Sequence, residues 1–277
     1  MESLISPPPP WALLLGLAVP LLWGLVYHLS ALREVRSRGG LVENRYFGAP
    51  DVLFGLVLAL YFGWGGVSAL SRSGIPTELT AERLLTNSAF MLLVWMTVAV
   101  FLAARQIPVG RALGLSLHHV GSSGLRAVAG LAMSLPWVWA INTAVRPFLP
   151  DQSREQAMVS LFRSATETGD WKIMGSIVLS GVVVAPWVEE TIFRGYFYPV
   201  MKAFGGPRLG AFSVSALFAV SHGNSAAMLG LFTLALFLTL AYERYGSLWV
   251  AVGMHAFFNA ISLALLYLQG RGWLPTG

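Results

Sequence analysis

The sequence predicts an all-α fold, a polytopic membrane helical bundle of about eight transmembrane helices, from three observations. Hydrophobic residues make up 56% of the 277 positions and charged residues 11%, with a mean hydropathy of +0.66, far from the make-up of a soluble domain. The apolar runs are continuous over bilayer-spanning lengths and do not alternate in period two, which argues against a transmembrane barrel. No polar stretch is long enough to build a soluble domain, so residues 1–277 are expected to form a single integral membrane domain. Cysteine is absent, which removes disulfides, thiolate catalysis and cysteine-ligated metals. The net charge is +5, but the arginines sit in short loops beside apolar runs. That pattern suits orientation and anionic headgroups: membrane lipid is an expected partner and nucleic acid is not.

The chain opens with Pro7-Pro8-Pro9-Pro10 and an apolar run over residues 11–32. The run lacks a basic leading region and exceeds the apolar core of a signal peptide, so a retained first span is expected, bent at Pro20. His28, near its exit, reads as an interfacial side chain. Arg33, Arg36, Arg38 and Arg45 form the densest basic cluster, which predicts a cytoplasmic loop and an outside N-terminus. The second span, 52–70, carries Gly63-Trp64-Gly65-Gly66, small residues suited to close helix contact in lipid. The third, 84–104, is followed by Arg105 and Arg111. His118-His119-Val120-Gly121-Ser122-Ser123-Gly124 reads as a solvated interfacial loop before a fourth span over 125–144. Within the polar stretch 146–172, residues 156–164 read as a short amphipathic helix lying on the surface or capping an entrance. The remaining spans are 173–188, 209–221, 226–242 and 248–268, with Lys202 and Arg208 in an inside loop.

Three constellations able to do chemistry fall in the last third, each in or against an apolar helix. The first is Glu189-Glu190 with Arg194, inside the stretch 184–198. Ionisable groups at membrane depth are costly and mark a working site unless a partner accounts for them. Glu190 and Arg194 stand one helical turn apart and can pair; Glu189 points off that face and is left without a sequence-local counter-ion. The second is Phe218-Ala219-Val220-Ser221-His222. The third is His255-Ala256-Phe257-Phe258-Asn259, whose spacing aims an imidazole and a carboxamide the same way.

Taken singly, each has a structural reading: a Glu–Arg lock between helices, a satisfied core histidine, an interhelical hydrogen bond. Taken together, two acids, two imidazoles and an amide bring a bundle little stability, whereas a reaction of water would use them all. Peptide hydrolysis needs a base for water, a second group to hold that water, and donors aimed at the developing oxyanion. Glu189 is the candidate base and His222 its partner in positioning water, with His255 and Asn259 as oxyanion donors and Glu190, Arg194 and Phe218 supporting the site. Pro186 removes a backbone donor just before the acids and is expected to kink the helix and admit water and substrate.

Glu-Glu-x-x-x-Arg, Phe-x-x-x-His and His-x-x-x-Asn, in this order on successive membrane helices, resemble the CPBP family of intramembrane endopeptidases. That family includes the CAAX prenyl proteases of the Rce1 type and bacterial relatives in sorting-signal processing and peptide immunity. The likeness covers residues 173–262, within an expected catalytic core of 173–268, and is strengthened by Ala185-Pro186-Trp187-Val188, Phe193-Arg194-Gly195 and Gly246-Ser247-Leu248-Trp249. It implies a glutamate-type mechanism with no metal and no cofactor, and a membrane-associated protein or peptide substrate, processed at its C-terminus in the CAAX-like or sorting-signal manner. Two lysines, Lys172 and Lys202, against many arginines suggest a GC-rich bacterial genome, and a multi-pass protein of the bacterial cytoplasmic membrane is expected.

Other readings of the same residues stand beside it. A zinc-dependent metalloprotease could use His222, His255 and a glutamate, though His-Glu-x-x-His is absent. A rhomboid-like serine protease would draw its nucleophile from Gly121-Ser122-Ser123-Gly124, in the reverse of the rhomboid order. A transporter or scaffold could keep a polar proton-relay cluster without cutting anything.

Overall fold

The computed structural model describes residues 10–71, 80–115, 120–149 and 157–275; Pro7 to Pro9, His118, His119 and Gln156 lie outside them. Among the described residues there is no strand. The helices are α1 (Pro10–Arg38), α2 (Ala49–Ser71), α3 (Ala81–Ala104), the single turn α4 (Val109–Ala112), α5 (Val120–Val145), α6 (Ala157–Thr168), α7 (Trp171–Val178), α8 (Ala185–Glu190), α9 (Tyr198–Ser221), α10 (Met228–Tyr245) and α11 (Leu248–Gly270). Among the described residues, six helical segments are long and apolar enough to cross a membrane: Gly16–Arg38, Ala49–Ser71, Ala81–Ala104, Val120–Phe148, Trp171–Ser221 and Leu248–Gly270. The chain is a multi-pass membrane bundle.

The 51-residue segment Trp171–Ser221 is two arms rather than one rod. At Gly206 the backbone takes φ 77 and ψ 170, a conformation that only glycine adopts cheaply, and Pro207 starts the next helix with its φ already set. The arms run back along each other: Phe218 packs edge-on against Phe193 at 5.2 Å, and His222 returns to the level of Glu189. With α10 added, the eight expected crossings all have a helix.

Against this hairpin, α2 and α10 pack on α9, and α3 and α11 pack on α8, with α5 lying against α10 and α11. The main core joins Phe62, Phe193, Tyr196, Phe197, Val214 and Phe218, and a smaller one joins Ala127, Leu131, Leu234, Leu238, Val250 and Met254. Of the glycines in 63–66, Gly66 makes the closest approach. A Cβ there would come within 1.9 Å of the Val220 carbonyl oxygen, so α2 lies backbone to backbone against the end of α9.

Several expectations are revised. The span expected to end at Val188 continues in helical form to the Gly206 fold, with Glu189 and Glu190 in its interior. It continues because Ile192, Phe193, Tyr196 and Phe197 are buried by neighbouring helices and because Glu190 and Arg194 neutralise each other there. Residues 120–124 open α5 instead of forming a loop; Ser123 is buried, its hydroxyl 3.3 Å from that of Ser247. His28 is not interfacial: it is buried, stacked on Phe237 at 3.8 Å and 3.4 Å from the Ser134 hydroxyl. The amphipathic helix is present as α6, which seats Phe162 and Ala165 against α7 and α11.

Candidate active site

Two π-helical stretches, Leu179–Val184 and Thr191–Phe197, bracket the one α-helical turn, α8, that ends on the two glutamates. In each stretch the backbone hydrogen bonds reach five residues back, as from Ala185 N–H to the Ser180 carbonyl and from Tyr198 N–H to the Phe193 carbonyl. The donor that would continue this register onto Gly181 belongs to residue 186, which is proline and has none. The Gly181 carbonyl is thereby released, and the Asn259 side-chain amide of α11 donates to it at 2.7 Å. Pro186 thus shifts the helix into a wide turn and frees an acceptor. Such π turns recur at functional sites.

Glu190 and Arg194 pair at 2.9 Å with both side chains fully buried. Arg194 also donates to the Ala235 carbonyl of α10 at 3.1 Å, and its guanidinium lies 4.6 Å over the ring of Phe218, an arrangement favourable to a desolvated cation. The same oxygen of Glu190 accepts from His255 Nδ1 at 2.8 Å. One carboxylate therefore ties the hairpin to α11, and its Arg194 partner extends the tie to α10.

Glu189 faces the other way. Its Oε2 lies 3.7 Å from His222 Nε2 and 4.0 Å from His255 Nε2, too long for hydrogen bonds, and this buried oxygen has no hydrogen-bond partner. His222 Nδ1 lies 2.7 Å from the Phe218 carbonyl, one turn back. Carbonyl and carboxylate oxygens only accept, so each imidazole holds a proton on Nδ1 and presents Nε2 to Glu189. The Glu189 side chain is 16% exposed and that of His222 23%, whereas Glu190 and Arg194 are sealed. The open side of the cluster is the side of Glu189 and His222.

Glu189, His222 and His255 thus come together around one oxygen, with Glu190, Arg194 and Phe218 packed behind them. Asn259 stands one turn beyond His255 on α11, with one amide hydrogen committed to Gly181. Two links escaped the sequence reading, Glu190 to His255 and Asn259 to Gly181, because neither has a spacing signature. Among the described residues, no group of three or more His, Asp or Glu side chains has the arrangement of a metal site.

A search of curated proteins and a search of solved structures each returned no match. A family model described as Type II CAAX prenyl endopeptidase Rce1-like matches residues 171–261, which take in both π turns and every residue of the cluster. That third of the chain is similar to the Rce1-like peptidases, as its three motifs implied.

Proposed function

We propose that the chain is an intramembrane endopeptidase that hydrolyses a peptide bond of a membrane-associated protein or peptide with Glu189 and His222 as the water-activating pair. The observation that supports this most directly is the unsatisfied Glu189 Oε2 between two imidazole Nε2 atoms on the open side of the cluster. A water seated there would give its proton to Glu189 while His222 Nε2 holds it in line. Its oxygen attacks the carbonyl carbon and the carbonyl π electrons move to oxygen; the proton then passes from Glu189 to the amide nitrogen as the carbonyl re-forms and the C–N bond breaks, leaving a carboxylic acid and an amine.

The oxyanion falls to His255 and Asn259. With Nδ1–H held by Glu190, His255 offers a donor at Nε2 only as the imidazolium, and the Glu190 carboxylate is placed to balance that charge. The second Asn259 amide hydrogen is the other donor. Residues 173–268 form the catalytic core of one membrane domain in this reading, and we place the protein in a bacterial cytoplasmic membrane. The substrate class is a membrane-anchored chain cut near its C-terminus, CAAX-like or a sorting signal.

The test compares membranes from cells carrying the unaltered chain, Glu189→Gln and His222→Gln, scored for released peptides and for membrane proteins with altered C-termini. Gln keeps the shape of Glu189 and removes the base, so processing should fall by about 10²–10⁴-fold with normal accumulation of the protein. Unchanged peptides and C-termini in Glu189→Gln membranes would falsify the proposal. Loss of processing on chelation, reversed by zinc, would transfer the water-activating role to a metal.

A further inference from the structure

At the far end of the hairpin is a cavity of about 710 Å³ between α1, the Gly206 fold and α10. Its walls are apolar: Leu32 and Val35 of α1, and Leu236, Phe237 and Leu240 of α10, with His28 stacked flat on Phe237. Three charged side chains line it, Arg36, Arg208 and Glu243. Glu243 is neutralised within the protein. It accepts from Lys202 at 2.6 Å and from the Tyr198 hydroxyl, and its other oxygen faces the Val42 N–H at 3.4 Å.

Arg36 and Arg208 are exposed and, unlike Arg38 and Arg244, which share Glu34, neither has an acidic partner among the described residues. The cavity therefore presents two free cations at the arginine-rich end of the bundle and hydrocarbon-like walls below them. From Glu189 to Gly205 the helix rises about 24 Å, so this is not the hydrolytic cluster.

We infer that this cavity binds a glycerophospholipid with an anionic headgroup, its phosphate between Arg36 and Arg208 and one acyl chain between α1 and α10. Charge complementarity selects that occupant. A neutral hydrocarbon would leave both guanidinium groups unused, and a water-soluble anion would leave the apolar walls unfilled. The volume lies within the range of small-molecule pockets and suits one acyl chain rather than two, so the second chain lies along the outer face of α1, where Leu25 and Leu29 are exposed. The inference stands independently of the peptidase reading.

The full chain in detergent micelles is titrated with dioleoyl phosphatidylglycerol or dioleoyl phosphatidylcholine and read by native mass spectrometry. One phosphatidylglycerol per chain is expected at about 30-fold lower concentration than phosphatidylcholine, the preference two basic groups give an anionic headgroup. R36Q/R208Q should bring the two lipids within about threefold of each other, and L236W should weaken both, whereas R33Q, at the same end but outside the cavity, should leave the preference intact. Equal binding of the two lipids to the unaltered chain overturns the inference. So does a preference that survives R36Q/R208Q or is lost equally in R33Q. A photoactivatable phosphatidylglycerol in mixed vesicles, used on the unaltered chain, should label peptides of α1 and α10; labelling confined to other helices also overturns it.

Discussion

Glu190→Gln separates the charge of the buried carboxylate from its shape. Gln fills the same volume and its carbonyl oxygen can still accept from Arg194 and His255, now at 2.9 and 2.8 Å from the carboxylate. The negative charge that balances a guanidinium with no exposed surface is gone. A hydrogen bond to an ionised acceptor contributes about 1.5–3 kcal/mol and one to a neutral acceptor about 0.5–1.5, so two bonds lose about 2–3 kcal/mol between them. Stripping one partner from a buried ion pair costs about 3–5 kcal/mol. These two figures describe the same loss from two sides, so the expected destabilisation is about 3–5 kcal/mol. Adding Arg194→Met removes the stranded cation, and the double variant should recover to within about 2 kcal/mol of the unaltered chain. The assay is unfolding of the purified chain in mixed micelles by increasing dodecyl sulfate, followed through the fluorescence of its ten tryptophans. A Glu190→Gln variant within about 1 kcal/mol of the unaltered chain, or a double variant no more stable than the single, refutes the reasoning.

Three further outcomes follow from the geometry. Gly66→Ala should destabilise by about 1–3 kcal/mol in the same assay, since its Cβ would meet the Val220 carbonyl, while Gly65→Ala, where nothing lies within 4 Å, should be tolerated. Asn259→Ala should cost about 1–3 kcal/mol by stranding the Gly181 carbonyl. Pro186→Ala, which restores a donor at position 186, should reduce that cost by at least half, and an equal cost in both backgrounds would disconnect the proline from the released acceptor. Ser123→Ala, which loses only a contact with Ser247, should leave peptide release unchanged; a loss beyond tenfold would revive the serine-nucleophile reading.

The helices were legible because hydropathy sums over a whole turn and is insensitive to who the neighbours are. The Glu190–Arg194 pair was legible because four residues is a distance fixed by the helix itself. What could not be read was that the membrane segment runs on past Val188 through Glu189, Glu190 and Arg194. A hydropathy window counts them as polar, while in the fold Glu190 is met by His255 and Arg194 by the Ala235 carbonyl, 65 and 41 residues away in the chain, and Glu189 comes to face His222. The same limit hid His28, whose burial depends on Phe237 of α10, and Glu243, whose partners Lys202, Tyr198 and Val42 come from two other segments. Glu243 did leave a trace, an acid at the end of an apolar run, which the rule applied to Glu189 would have flagged. The π turns left a subtler one in Pro186, whose consequence was read as a kink because the five-residue register cannot be seen until the backbone is traced.

Glu189 lies 17 residues before Gly206 and His222 lies 16 after it, so the acid and the imidazole meet because two arms of nearly equal reach, each about 25 Å, leave one fold. Adding a single residue to either arm would move its tip by about 1.5 Å and swing it by about 100°, enough to carry one partner off the other. Substitutions along the arms can be absorbed one at a time by repacking, but insertions and deletions cannot. The hairpin behaves as a pair of calipers, set by counting, and its tolerance to change is in composition and not in length.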